Sequence, residues 1–352
     1  MKCSATQPWI SLYADSGAGW HDSRTATAGK KNEMKCAILQ PISNVGVMLL
    51  RDADVIPIEG DESSPTRATV ARMLRDVDAV ISRNAVIDRD AIENAARLRV
   101  ISIHGIGHDP IDIAAATENG IVVCNTPTAN IQSVAEHAIA LMLAVARMIP
   151  QGDLATRRGD FSFKYANSFY ELHGKTLLIV GWGQIGELTA RLAKAAFAMN
   201  ILAYSPSAEA DDIAGAGARK CEDLHDALAL ADVVSLHVPI RPETRNLIAA
   251  PELSAMKPSA ILINTGRGAV VNEMALGTAL KEFRIKGAGL DVFVSEDMSQ
   301  GHPFLDLKNV VLTPHVGGTT EEGLDRAARE AAEHVLAVLR GETPRSLLNG
   351  PF

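Results

Sequence analysis

The sequence has few cysteines and no excess of positive charge, and each shortage argues against a class of protein. The cysteines stand far apart and form no Cys-x-x-Cys pair, which argues against a disulfide framework or a zinc site. Cys3, Cys36, Cys124 and Cys221 are therefore expected to be buried or incidental thiols in a reducing compartment. The formal net charge of -8 argues against a nucleic acid or anionic membrane partner held by a broad basic surface.

Long apolar runs are also missing. The sequence contains no run of about eighteen apolar residues, and no continuous apolar segment opens it as in a secretory signal. We therefore expect a cytoplasmic protein without a membrane partner.

A hydrophobic fraction of 47% is ordinary for a globular protein, and a length of 352 residues suits two domains with separate cores.

Residues 1–33 differ from the rest of the chain. They are rich in Ser, Thr, Ala and Gly and have no sustained period, so we expect a disordered or loosely docked extension. The tripeptide MKC at 34–36 repeats the first three residues directly before the first predicted strand. Met34 is thus a hypothetical native start.

From Cys36 onwards, short apolar runs alternate with amphipathic segments. This alternation is typical of parallel sheets with crossover helices. The runs AIL, DVIPI, AVI and VISIHG predict strands of a first domain, and DVVSLHVP, AILINTG, GAGLDVF and NVVLTPH predict strands of a second. The predicted fold class is α/β, with two Rossmann-like doubly wound parallel-sheet domains.

Three segments are predicted to join the domains. A long helix begins near Ile131 or Ser133, where apolar residues recur at helical spacing. Residues 151–173 have no clear period and several aromatic residues, so we expect a long loop, either functional or wrapped between the domains, that is packed down by those rings. A last helix, from about Glu321 to Arg340, should return to the first domain, because a helix of that length needs an apolar surface to cover.

The segment KTLLIVGWGQIGELTARLAKAAFAMNILA predicts a dinucleotide site. Gly181, Gly183 and Gly186 form G-x-G-x-x-G where an apolar strand gives way to an amphipathic helix. Backbone amides at such a turn can face a pyrophosphate without an intervening Cβ atom. The alternative is a glycine turn that only lets the helix and strand pack closely.

The next strand of this unit leaves the choice of cofactor open. Ser205 stands where an NAD-selective site usually carries Asp, which binds the ribose 2′-hydroxyl and repels a 2′-phosphate. No Arg follows closely to bind that phosphate, and the next charged residues are Glu209, Asp211 and Asp212. The sequence therefore predicts NAD or NADP.

Three successive predicted strands end in polar residues. Arg267 follows the first, Asp291 and then Glu296 follow the second, and His315 follows the third. Ligands bind at the carboxyl ends of strands in open α/β sheets, so these side chains should meet at one edge. Arginine offers a planar fork for a carboxylate, imidazole can exchange a proton near neutrality, and a carboxylate can fix an imidazole tautomer.

Each of these residues also has a plainer explanation. An Arg after a strand is often part of a surface ion pair, and a His before Val-Gly-Gly can cap a turn. The shared sheet edge favours acid-base chemistry on an anionic substrate over those separate explanations. Glu296 supports this chemistry only if it contacts the imidazole of His315.

Other strand ends carry weaker signals. The segment Gly105-Ile106-Gly107 forms either an anion-binding nest or a simple glycine turn. Arg83 is a candidate for binding a substrate phosphate, and the segment His237-Val238-Pro239 ends a strand where an adenine needs an apolar wall. The imidazoles of His104, His108 and His137 lack the paired spacing of a metal site, so no metal is predicted.

Several motifs, in order, resemble the D-isomer-specific 2-hydroxyacid dehydrogenases. They extend from about Met34 to Asn349 and include ELHGKTLLIVGWGQIG, INTGRGAVVNE, GLDVFVSE and LTPHVGG. The resemblance implies a flavodoxin-like substrate-binding domain, formed by 34–132 and 316–352, around an NAD(P)-binding Rossmann domain at 133–315. The extension at 1–33 lies outside it.

The resemblance also implies roles for individual residues. The catalytic Arg, Glu and His of the family fall on Arg267, Glu296 and His315, its carboxylate-binding amides on Gly105 to Gly107, and its nicotinamide-contacting aspartate on Asp291. The predicted dinucleotide contacts are Gly181, Gly183, Gln184, Ile185, Gly186, Ser205, His237, Val238, Pro239, Thr244, Thr265, Arg267, Asp291 and His315. The predicted substrate contacts are Arg83, Gly105, Ile106, Gly107 and Arg267.

The function implied by this resemblance is hydride transfer. We expect an NAD(P)-dependent oxidoreductase acting on a small D-2-hydroxy acid or 2-keto acid of the hydroxypyruvate, glyoxylate or 3-phosphoglycerate type. A homodimer formed through the nucleotide domain and the long helix is expected. The alternative is a dinucleotide-sensing interaction protein, similar to corepressor relatives that keep the same catalytic residues.

Overall fold

The computed structural model describes residues 33–298 and 301–350. The expectations for Cys3 and for almost all of the predicted extension therefore lie outside the described residues. Two parallel sheets with interleaved helices make up the described chain.

The first sheet has five strands in the order β2-β1-β3-β4-β5. Its strands are β1 (Met34–Ile38), β2 (Val55–Glu59), β3 (Ala79–Ser82), β4 (Val100–Ile103) and β5 (Val122–Asn125). The helices between them are α1 (Asn44–Asp52), α2 (Arg67–Leu74), α3 (Arg89–Glu93) and α4 (Ile113–Glu118). This is the flavodoxin-like strand order, in which the topology reverses between β1 and β3.

The second sheet has seven strands in the order β12-β11-β10-β9-β6-β7-β8. Its strands are β6 (Thr176–Val180), β7 (Asn200–Tyr204), β8 (Arg219–Lys220), β9 (Val233–Leu236), β10 (Ile261–Asn264), β11 (Gly287–Leu290) and β12 (Val310–Leu312). The helices are α8 (Gln184–Phe197), α9 (Ala210–Gly215), α10 (Leu224–Leu230), α11 (Ala250–Ala255) and α12 (Glu273–Lys281), with a 3-10 turn at Gly268–Val270. The order reverses between β6 and β9, as in a Rossmann sheet, and the predicted α/β class is confirmed.

The last helix, α13 (Glu321–Leu339), covers the first sheet. Its buried face packs with Ile38 and Ile81, and Gly46 allows α1 to approach Ala328 so closely that a Cβ atom would overlap its carbonyl oxygen. The following segment reaches β5, where Leu348 donates its N–H to the carbonyl of Val123 at 2.8 Å. The chain therefore returns to the sheet on which it began.

The long helix α5 (Ile131–Ala146) packs on α8, β10 and β11 of the second sheet. No single described helix is long and apolar enough to cross a membrane, and α5 reaches that length and composition only together with the next helix, across a bend of 56°.

Three described cysteines are free, and burial raises the pKa of the Cys124 thiol to about 12.

The expectation for residues 151–173 was wrong in two respects. The segment is not one long loop, because α6 (Ile149–Arg157) and α7 (Phe163–Ala166) occupy much of it. Its aromatic side chains are not all packed down either, since Phe161 is 68% exposed and Tyr165 is 82% exposed. Among the described side chains of α6 only Ala155 is buried, so the helix leaves no apolar stripe in the sequence.

Candidate active site

The polar strand ends of the second sheet lie side by side. Strands β10, β11 and β12 are consecutive neighbours in the sheet, and all are parallel. Arg267, Glu296 and His315 come from the segments that follow these strands. The predicted convergence on one sheet edge thus has a direct basis in the topology.

His315 and Glu296 form a hydrogen-bonded pair. Nδ1 of His315 lies 3.0 Å from Oε1 of Glu296, and the two side chains are 45% and 62% exposed. A carboxylate can only accept a hydrogen bond, so Nδ1–H donates to Glu296, which fixes the tautomer and leaves Nε2 available for a substrate. This is the geometry of an imidazole proton donor supported by a carboxylate.

The backbone turn that carries His315 is held by Asp291. The buried carboxylate accepts hydrogen bonds from Thr313 Oγ1 at 2.6 Å, Val316 N at 2.9 Å and Gly317 N at 2.8 Å. The carbonyl of Asp291 also accepts the N–H of His315 at 2.9 Å. His315 has a φ of 54°, a left-handed conformation that needs such support.

A second imidazole completes this support. Nε2 of His137, from α5, lies 3.0 Å from Thr313 Oγ1 and 3.3 Å from an oxygen of Asp291. Burial alone would raise the pKa of Asp291, but the hydrogen bonds from His137, Thr313 and the two turn amides together lower it. Asp291 is therefore held as a carboxylate, and its oxygens accept hydrogen bonds from neighbouring protein groups.

Arg267 is anchored on one side and open on the other. Its Nε donates to Asp109 Oδ2 at 2.8 Å, and its Nη1 donates to the carbonyl of Gly266 at 2.8 Å. Nη2 lies against Gly107, in the space that a Cβ atom would fill. The side chain of Asn264 accepts from Gly266 N and donates to the carbonyl of Arg267, which fixes the local backbone.

The predicted anion nest faces this guanidinium. Gly105 has a φ of 146°, and the carbonyls of Gly105 and Ile106 are engaged by Thr126 N and Asn125 Nδ2. The amides of Ile106 and Gly107 donate to no acceptor within the part of the chain that the structure describes. Their position beside Arg267 Nη2 makes the turn suitable for a carboxylate.

Arg83 directly follows β3 of the five-stranded sheet, which also carries the Gly105–Gly107 turn after β4. Its guanidinium donates to the carbonyl of Pro41 at 3.1 Å, and its backbone N–H donates to Gln40. Burial lowers the pKa of Arg83, and no carboxylate within ion-pair distance compensates it among residues 33–298 and 301–350. The nearby His104 is buried with no partner for Nε2, and burial, with the charge of Arg83, lowers its pKa to about 4.

The glycine turn after β6 fits a dinucleotide. Gly181 has a φ of 99° and packs against the carbonyl of His237, so a side chain there would collide with backbone. A Cβ atom on Gly186 would likewise collide with the carbonyl of Gly181, whereas a Cβ atom on Gly183 would meet nothing within 4 Å. Helix α8 starts at Gln184, followed by Ile185, with no side chain capping its first amides. Those amides can bind a pyrophosphate.

Internal hydrogen bonds hold the segment after β9, where the sequence predicts an apolar wall for an adenine. His237 Nε2 lies 2.8 Å from Ser235 Oγ, and burial lowers the pKa of His237 to about 4, so its imidazole is neutral. Thr244 donates to the carbonyl of Pro239 at 2.6 Å, which fixes the loop that also contains Val238. In contrast, Thr265 Oγ1 is buried without a hydrogen-bond partner in the described chain, as a contact awaiting a ligand would be.

A cleft of about 860 Å³ opens beside the glycine turn. It extends from Trp182 and Gly183 to Ser207, which follows β7 and stands two positions after the buried Ser205. Its charged lining residues are Glu187, Arg191, Glu209 and Asp212. The Arg191 guanidinium lies 3.5 Å from Glu187, so the cleft has an acidic balance.

Sequence reasoning missed the residues that position the predicted groups. Asp109 was not identified as the partner of Arg267, although a carboxylate two residues after a predicted anion nest is a usable signal. His137 was considered only as a possible metal ligand, and it supports Asp291 instead. Among residues 33–298 and 301–350, no group of three or more His, Cys, Asp or Glu side chains could hold a metal ion.

Comparison with known proteins points in the same direction as the geometry. The family model described as D-isomer specific 2-hydroxyacid dehydrogenase, NAD binding domain, matches residues 139–317. The chain is 40% identical over 324 residues to the glyoxylate reductase of Thermococcus litoralis, covering 90% of this chain and 96% of that protein. It is 38% identical over 319 residues to the D-3-phosphoglycerate dehydrogenase of Methanocaldococcus jannaschii, covering 90% of this chain but only 60% of that relative.

A solved structure is also similar over most of the chain. The NADPH-dependent glyoxylate/hydroxypyruvate reductase of Sinorhizobium meliloti, in complex with NADP and malonate, gives a TM-score of 0.78. The two sequences are 26% identical, and the likeness covers 90% of this chain and 97% of that one.

Proposed function

Because the chain belongs to the D-isomer-specific 2-hydroxyacid dehydrogenase family, we propose that it moves a hydride between a nicotinamide cofactor and C2 of a small D-2-hydroxy acid or 2-keto acid. The observation that carries the proposal is the pair of His315 and Glu296, 3.0 Å apart, beside the strand end that bears Arg267. Candidate substrates are glyoxylate, hydroxypyruvate and 3-phosphohydroxypyruvate.

The chemistry divides between these residues. The turn at Gly181, Gly183 and Gly186 would hold NAD or NADP, which would supply or accept the hydride. In reduction, His315 donates the proton of Nε2 to the carbonyl oxygen, and Glu296 stabilises the imidazolium through Nδ1. Arg267 and the turn amides of Ile106 and Gly107 bind the substrate carboxylate and hold the carbonyl in line.

The buried Asp291 acts through the backbone in this proposal. It holds the turn of His315 at the end of β12, and the neighbouring Thr265 hydroxyl is free to bind the cofactor. Arg83 is a candidate contact for a second anionic group of the substrate, since its charge has no carboxylate partner among the described residues.

A panel of 2-keto acids tests the proposal against its rival. The rival is a dinucleotide-sensing interaction protein, which would bind NADH but turn over slowly. Oxidation of NADH and NADPH should be followed with glyoxylate, hydroxypyruvate, pyruvate and 3-phosphohydroxypyruvate. An enzyme is expected to reach a kcat of about 1 s⁻¹ or more with at least one of them. Tight NADH binding without turnover on any of these acids would favour the sensor.

The acidic cleft beside Ser205 leads us to expect a preference for NADH. Carboxylates of Glu187, Glu209 and Asp212 line the cleft, and its guanidinium, on Arg191, is already near Glu187. A 2′-phosphate would add negative charge to this acidic surface. We expect kcat/KM to be at least about tenfold higher with NADH, and the double variant Glu209→Gln/Asp212→Asn to reduce that ratio. Equal efficiencies with the two cofactors in the unmodified protein would contradict the assignment.

We also propose that the protein works in the cytoplasm as a homodimer. The buried free thiols of Cys36 and Cys124 suit a reducing compartment. Exposed apolar side chains cluster in sequence around α6 and α7, where a second copy can cover them, namely Ile149, Leu154, Phe161, Tyr165 and Phe169.

Light scattering tests the dimer. The unmodified protein is expected to have twice the mass of one chain, and Phe161→Asp/Tyr165→Asp is expected to be a monomer. Phe283→Asp changes a ring that is 71% exposed elsewhere on the second half and serves as the control. A double variant that stays dimeric would rule out this surface.

A further inference from the structure

The ion pair of Arg267 and Asp109 joins the two halves of the molecule at the candidate active site. Arg267 follows β10 of the seven-stranded sheet, and Asp109 follows β4 of the five-stranded sheet. The bond between Nε and Oδ2 is 2.8 Å long, and the side chains are 32% and 38% exposed. Partly exposed ion pairs contribute little to stability. A role in orienting the guanidinium of Arg267 is therefore the better explanation of this pair.

The pairing divides the guanidinium into a held edge and a free edge. Nε binds Asp109, Nη1 binds the carbonyl of Gly266, and Nη2 lies against Gly107. Only glycine at 107 leaves room for Nη2 there, because any Cβ atom would overlap it. The free edge is therefore directed at the turn whose amides are available to a carboxylate.

We propose that Asp109 is a positioning residue of the reaction, which holds Nε of Arg267 so that Nη2 meets the substrate carboxylate at the Gly105–Gly107 turn. An arginine side chain loses much rotamer freedom when it is fixed, and Asp109 supplies this order before the substrate arrives. The inference rests on the proposed reductase function, because it assigns Arg267 to the substrate.

Two substitutions separate orientation from charge. Asp109→Asn keeps an oxygen that can accept from Nε but removes the negative charge beside the substrate carboxylate. Asp109→Ala removes both. If orientation is the role, kcat/KM for the best keto acid should fall about 10- to 100-fold in Asp109→Ala and much less in Asp109→Asn, with NADH affinity unchanged in both.

A matched ion pair provides the control. The guanidinium of Arg89, at the start of α3, pairs with the exposed Glu118, at the end of α4, at 2.7 Å, and neither residue contacts Arg267 or Asp109 in the described chain. Glu118→Gln therefore removes an equally short pair and is expected to leave kcat/KM within about twofold of the unmodified protein.

A double-mutant cycle tests whether Asp109 acts through Arg267. In an Arg267→Lys background the fork is already lost, so adding Asp109→Ala should lower kcat/KM by no more than about twofold. An Asp109→Ala effect of the same size in both backgrounds, or Asp109→Asn as impaired as Asp109→Ala, would overturn the positioning role. Failure of the unmodified protein to reduce any keto acid would instead count against the proposed function, so the two failures are distinguishable.

Discussion

The variant His315→Ala is expected still to bind NADH and to lose at least about 100-fold in kcat, and as much as about 10,000-fold. His315 is the proton donor of the proposed reaction, and Glu296 can no longer assist once the imidazole is gone. Glu296→Gln should cause a smaller loss, because an amide oxygen still accepts from Nδ1 but offers no negative charge to the imidazolium. Steady-state kinetics with the best keto acid and NADH fluorescence titration measure the two effects.

A second histidine and glutamate pair offers the matched control. His225 Nε2 lies 3.1 Å from Glu252 Oε1, and its side chain is 51% exposed, similar to that of His315. It lies on α10, which has no part in the candidate site. His225→Ala should therefore leave kcat unchanged, whereas an equal loss in both variants, or full turnover in His315→Ala, would remove His315 from the mechanism.

The sequence predicted the strands and their polar ends because both depend on local patterns. A buried parallel strand is a short apolar run, and the residues after it are fixed in space once the strand order is known. Arg267, Glu296 and His315 could be grouped for this reason. The aromatic segment at 151–173 could not be interpreted in the same way. Because α6 and α7 bury few side chains, they leave no apolar period, and the sequence does not show that Phe161 and Tyr165 are exposed.

The partners of the predicted groups required the folded structure. Asp109 and Arg267 are 158 positions apart, and they meet because two separate sheets present their carboxyl ends to each other. His137 reaches Asp291 only because α5 packs across β10 and β11. Neither contact follows from spacing or periodicity, since each depends on how one element lies against another.

The variant Asp291→Ala is expected to lose both stability and activity. The change leaves Thr313 Oγ1 and the amides of Val316 and Gly317 without their acceptor in a buried site. Buried donors that lose their acceptor cost about 1 to 3 kcal/mol each, and the energies are not additive, so we expect the free energy of unfolding to fall by about 3 to 5 kcal/mol. The turn of His315 should loosen as well, lowering kcat at least about tenfold.

The stability loss should depend on pH in a direction that the hydrogen bonds determine. The folded-state pKa of Asp291 is lowered from 3.8, so its carboxylate contributes stability that is fully present above the unfolded pKa and is lost as pH falls through the folded pKa. The difference in melting temperature between the unmodified protein and Asp291→Ala should therefore be largest near pH 7 and shrink below about pH 4.

Scanning calorimetry across this pH range, with Asp306→Ala as an exposed control, measures the effect. The control should change the free energy of unfolding by no more than about 0.5 kcal/mol. A pH-independent loss in Asp291→Ala would mean that the packing of residue 291, and not its charge, holds the turn of His315. The backbone would then be set by the left-handed conformation at His315 and the bond from its N–H to the carbonyl of residue 291, which the substitution leaves in place.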